Sequence, residues 1–108
     1  MIYIGHIHAC ISRIKTYTAN LDESSFLQNP MIQDAVIRNF EIIGEATKKL
    51  DDDFREQYPD IEWKKIAGMR DKLIHDYIGV DLWAIWGVVE KILPTLEQQI
   101  AETLMKNQ

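Results

Sequence analysis

The sequence predicts an all-α protein, a bundle of four to five helices joined by short connections, on three observations. Apolar residues recur at spacings of three and four at the start, middle and end of the chain, the period of a helix with one buried face. Capping residues stand ahead of most of these stretches. No alternating run long enough for a strand is present, and only five glycines and three prolines interrupt 108 residues. With no linker, low-complexity stretch or repeat, residues 1–108 are expected to form a single helical domain.

The first helix is expected over about residues 2–19, where Ile4, Ile7, Ile11 and Ile14 line one face and Tyr17 continues the stripe. Asn29 before Pro30 marks the next start, a capping side chain followed by the residue that loses nothing at the first helical position. From there Ile32, Val36, Phe40, Ile43 and Thr47, flanked by Ala35, Ile37, Ile42 and Ala46, predict a long helix up to Leu50. The run of aspartates at 51–53 can cap a short turn through Gln57, and Tyr58-Pro59 interrupts it, because proline disfavours helix in the residue before it. Asp60 is expected to cap a helix over 61–69 that continues until Gly79. Asp81 caps the last helix, which carries Leu82, Ile85, Trp86, Val89, Ile92, Leu93, Leu96 and Ile100. Pro94 in its interior should kink it or end its first part.

Composition bounds the function. The apolar stretch 82–89 falls far short of the roughly 20 residues needed to cross a bilayer, so no membrane span is expected. The first residues lack the basic region and cleavage site of a signal peptide, and the lone Cys10 cannot form an internal disulfide, so a cytoplasmic location is expected. The net charge of −5 repels nucleic acid, so an RNA contact would need a local basic patch. Lys48, Lys49, Arg55, Lys64, Lys65, Arg70 and Lys72 do gather in the middle third, but acidic residues are interleaved with them, and a solvated mixed-charge surface is the favoured reading.

The residues best equipped for chemistry are Arg70, His75 and Tyr77. A guanidinium can pair bidentately with a phosphate, and an imidazole titrates near neutrality, a combination suited to phosphodiester cleavage. A ribonucleotide carries its own nucleophile in the 2′-hydroxyl, so such an enzyme needs positioning, charge stabilisation and proton transfer but no metal. Taken singly, His75 reads as a histidine partly buried between helices, and Arg70 as a surface partner of Asp71 or Asp76. For Tyr77, substrate contact, core packing and covalent modification all stay open. Arg70 and His75, five residues apart, lie roughly 140° apart round an ideal helix. One straight helix therefore does not aim both at one atom without side-chain reach, a helix end or a second subunit.

Other chemistry is less supported. His6 and His8 are two apart, roughly 200° round a helix, and do not make the zinc pair of residues four apart, so no metal is expected. Nothing beside Cys10 marks it as a nucleophile, and it reads as a small core residue. Trp63, Trp83 and Trp86 read as core or dimer-interface anchors in preference to a base-stacking platform. The charge-poor face of Ile85, Val88, Val89 and Ile92 reads as buried in the bundle or in a homodimer.

Arg70, four residues, His75, one residue, Tyr77 resembles the signature of the HEPN ribonucleases and, more narrowly, of the HepT toxins of HepT/MntA toxin–antitoxin systems. Residues 38–46 resemble the family's second-helix segment, 63–69 the lead into the motif and 81–96 the closing helix, together about two thirds of the chain. The resemblance implies an all-α homodimer with both motifs lining one cleft, which brings two copies of Arg70 and His75 together. It implies His75 as acid or base, Arg70 as the phosphate and transition-state contact, Asp71 and Asp76 as supporting neighbours, and neither metal nor cofactor. The implied function is that of an endoribonuclease toxin of a type VII-like pair acting on RNA, transfer RNA among the candidates. The implied partner is an MntA-like nucleotidyltransferase antitoxin that moves AMP from ATP onto Tyr77, placing charge and bulk in the RNA cleft. Two readings compete: a non-catalytic helical binding or acceptor subunit of the nucleotidyltransferase, and a nucleotide-binding protein in which Arg70 and Lys72 hold a phosphate.

Overall fold

The computed structural model describes residues 2–75 and 81–107, and at positions 70 and 72–75 the backbone alone. Helix α1 (Ile2–Thr18) buries Ile4, Ile7, Cys10, Ile11 and Ile14. The stripe then passes to Thr18 and not to Tyr17, which is 37% exposed. The alternation of three and four continues from Ile14 to position 18, and position 17 falls about 100° short of it. Thr18 meets its burial by donating its hydroxyl to the Ile14 carbonyl at 2.8 Å. Thr47 and Thr103 do the same one turn back, each at 2.8 Å, so none of the three buried threonines needs a partner on another helix.

A short helix, α2 (Glu23–Leu27), begins where the apolar periodicity is silent. Asp22 caps it by accepting from the Ser25 amide at 2.8 Å, and this contact holds the Asp22 carboxyl below its ordinary pKa. Its Phe26 is fully buried and lies against Trp86, ring centroids 5.2 Å apart. Helix α3 (Pro30–Lys48) starts as the Asn29-Pro30 pair predicts, with Asn29 Oδ1 accepting from the Ile32 amide at 3.1 Å. It ends two residues before Leu50, which is buried all the same. Buried Asn39 donates to the Ala35 carbonyl at 2.8 Å, while its Oδ1 has no partner among the described residues.

Helix α4 (Asp52–Glu56) is capped by Asp51 through the Phe54 amide at 2.8 Å. Helix α5 (Trp63–His75) starts two residues later than the expected position 61, and Asp60 is not its cap. The Tyr58 carbonyl accepts from the Ile61 amide at 3.2 Å, so the turn forced by Pro59 consumes residues 58–61 before the helix can begin. The expected end at Gly79 lies outside the described residues.

Asp81 caps α6 (Leu82–Gly87) by accepting from the amides of Trp83 and Ala84. As expected, the α-helical first part ends ahead of Pro94, at Gly87, but the chain does not leave the helical path. A π-helical turn, Val88–Ile92, intervenes, and α7 (Leu93–Lys106) carries on with Pro94 in its first turn. The Leu93 amide reaches back five residues to the Val88 carbonyl. The widened turn also keeps the buried face continuous: Ile85, Val89 and Leu93 are successive steps of four, which would drift about 80° round a straight α-helix.

Helix α1 packs on α3 and α7, α3 packs on α1 and α5, and α2 fills the gap between α3 and α6. Every described element is helical. Among the described residues no helix is long and apolar enough to cross a membrane. Trp63 and Trp86 join the core, but Trp83 is 61% and Ile92 52% exposed, so neither is buried within the chain. Capping at Asp81 and the π turn set their phase, which leaves both on the outward side of the last helix.

Candidate active site

Helix α5 carries positions 70 and 75, and its start is pinned by Trp63. The buried indole donates from Nε1 to the carbonyls of Arg55 and Tyr58, each at 3.1 Å, and packs near the ring of Phe54. The turn around Tyr58 is tied in turn to the end of α7, where Asn107 donates to the Tyr58 hydroxyl at 2.8 Å, and Gln99 donates to the Asp60 carbonyl at 3.1 Å. The lead into the motif is therefore held from both sides.

From Trp63 to His75 the helix is unbroken, so the register of the motif can be read from neighbours whose burial is known. Position 70 stands four residues after Ile66 and seven after Trp63, both buried. Position 75 stands on another line, with Lys64, Gly68 and Asp71 at spacings of four, three and four. Lys64 and Gly68 are exposed, and a Cβ added at Gly68 would meet no atom within 4 Å. Arg70 and His75 thus occupy the inner and outer registers of one helix, as their spacing predicts. Asp76 and Tyr77 lie outside the described residues.

On the outer line, Asp71 forms an ion pair with Lys48 near the end of α3. This pair joins α3 to α5 one residue after Arg70, with both side chains about two-fifths exposed. Nothing in the sequence marks Lys48 as different from its basic neighbours, because the pairing spans 23 residues. Other members of the basic cluster are occupied locally: Arg55 with Asp52, and Lys65 with Glu62. Beside the inner line, Met69 and Ile66 face Val88, Ile92 and Leu96 across an apolar groove of about 490 Å³, rimmed by Asp60, Glu62, Lys65 and Lys91.

The ribonuclease HepT-like family model matches residues 7–103. The chain belongs to the ribonuclease HepT-like family. It is 44% identical over 108 residues to "Putative RNase TTE0752" of Caldanaerobacter subterraneus subsp. tengcongensis, covering 96% of this chain and 93% of that one. It is 42% identical over 95 residues to "Probable ribonuclease HepT" of Thermococcus cleftensis, covering 88% and 86%. A third relative, "Gamma-glutamylcyclotransferase and putative RNase MJ0434" of Methanocaldococcus jannaschii, is 48% identical over 103 residues, 95% of this chain but 46% of its own length. The HepT-like chain thus spans less than half of that protein. No solved structure matches it.

The remaining candidates fall elsewhere in this HepT-like chain. His6 meets the edge of Tyr3, centroids 6.3 Å apart, in a shallow groove between α1 and α3. Cys10 is 1% exposed, and burial pushes its thiol pKa up against the opposing pull of Arg13 and Arg38. It is a core residue, as its sequence context indicates.

Proposed function

We propose that this HepT-like ribonuclease is a metal-independent endoribonuclease toxin that works in the cytoplasm as a homodimer. One observation carries the reading: Arg70 and His75 occupy different registers, about 140° apart, of one unbroken helix anchored at Trp63, so a two-fold partner is the economical way to bring both to one phosphate. The apolar groove beside Met69 suits that partner. Exposed Ile92 lies in it, and its rim carries both signs of charge, which a two-fold axis can set against each other.

In the proposed reaction, His75 of one protomer accepts the 2′-hydroxyl proton while the oxygen bonds to phosphorus. The bond to the 5′-oxygen breaks, and a second proton donor, His75 of the other protomer, protonates the leaving oxygen. Arg70 holds the phosphate and its developing charge. Asp71 and Asp76 support the motif. The nucleophile belongs to the ribose, so no metal or cofactor is assigned. An MntA-like nucleotidyltransferase is the proposed antitoxin, and AMP placed on Tyr77 would shut the cleft to RNA.

The test is cleavage of total and transfer RNA in excess EDTA, after intact mass shows Tyr77 unmodified. Wild type should cleave, and His75→Ala should be slower by about 10²-fold or more. Equal rates would refute the role of His75. The net charge of −5 favours a second reading, a non-catalytic acceptor subunit of the nucleotidyltransferase. Folded, unmodified wild type that cleaves nothing would leave that one standing.

A further inference from the structure

The outer line of α5 poses a question that the pairing of Arg70 with a partner's His75 does not answer: what, within one chain, neutralises a phosphate brought to His75? Arg70 is about 140° away round the helix. Two lysines stand on, or reach, the line of position 75 itself. Lys64 lies on the same line, exposed and in no ion pair among the described residues. Lys48 reaches that line from α3 by pairing with Asp71, one turn before His75. Between them is Gly68, where the open surface lets a backbone approach the helix closely. From position 64 to 75 the line is about 16 Å long.

We propose that Lys48 and Lys64 contact the phosphodiester backbone of RNA along this face and lead it to His75, Lys48 exchanging its Asp71 carboxylate for a phosphate as RNA arrives. The inference rests on the ribonuclease reading above. An ion pair as exposed as Lys48–Asp71 contributes little to stability, so the exchange costs little. It also gives the chain a route to RNA despite its acidic balance: Lys48 and Lys64 share the line of position 75, whereas Arg55 belongs to α4 and Lys65 stands about 100° round α5 from Lys64, on the rim of the apolar groove.

The test is binding of a fluorescent, single-stranded 2′-O-methyl RNA, which cannot be cleaved, by full-length protein over a range of sodium chloride. Lys48→Gln and Lys64→Gln should each weaken binding several-fold and flatten the plot of log affinity against log salt by about 0.7, one phosphate contact each. Lys48→Arg should restore the wild-type slope. Lys106→Gln, at the exposed end of α7, should leave it unchanged.

Removing Lys48 also exposes the Asp71 charge, so the decisive comparison is made in an Asp71→Asn background. If Lys48→Gln there still flattens the slope, Lys48 touches phosphate; if it changes nothing, Lys48 only screens Asp71 and the proposal fails. Wild type that binds RNA with neither lysine mattering overturns this inference and spares the ribonuclease reading. Wild type that binds no RNA at low salt overturns both. ATP competing for the lysines without RNA binding would assign the face to a nucleotide and also overturn the proposal.

Discussion

Cys10 shows how burial decides the fate of a reactive side chain. Its sulfur is 1% exposed, and desolvation raises its pKa in spite of two nearby arginines. A raised pKa means less thiolate at any pH up to that value, so reaction with Ellman's reagent at pH 7.5 should be slow in the native protein and complete in denaturant. Fast native labelling would contradict the burial. The apolar setting of Cys10 was legible, since it stands between Ile7 and Ile14 on a helical stripe. The Lys48–Asp71 pair was not, because no local rule joins residues 23 apart on different helices. Tyr17 and Thr18 mark the limit between these cases: the stripe was visible, but its next step depended on whether three or four residues were counted.

At the scale of elements, what sequence discloses follows the range of the interaction. The caps Asn29, Asp51 and Asp81 were legible because each accepts from an amide two or three residues on, a matter settled within one turn. Helix α2 was not, since five residues are too few for a period, and its fully buried Phe26 answers to Trp86, 60 residues away in the chain. At the start of α5 two local signals compete, and the turn at Tyr58 prevails over the cap at Asp60. That turn is fastened by Trp63. Trp63→Phe removes both indole hydrogen bonds while keeping a ring, and should cost about 1–3 kcal/mol in urea unfolding. A change below about 0.5 kcal/mol would show that the anchoring resides in packing alone.

For the whole molecule, the all-α class and the order of the long helices were legible, because both rest on periodicity and capping repeated along the chain. Which apolar residues stay outside was not: Trp83 and Ile92 carry the same hydrophobicity as their buried neighbours. Ile92 offers a test of the proposed dimer that spares the fold. Because it is 52% exposed, Ile92→Glu should leave thermal stability of the protomer nearly unchanged while converting the dimer to monomer in light scattering. A dimer that survives the substitution would move the interface away from the groove.

The π turn at Val88–Ile92 has a consequence for the C-terminal third as a whole. It holds one residue more than an α-helical path between the same two ends would need, so the chain there contains a spare. Losing a single residue inside the turn would let it relax to α-helix with the faces before and after it still aligned. The same loss in α7 ahead of Ile100 would swing everything beyond it by about 100° and carry Ile100 and Thr103 out of the core. Length variation in this part of the protein is thus confined by geometry to one place.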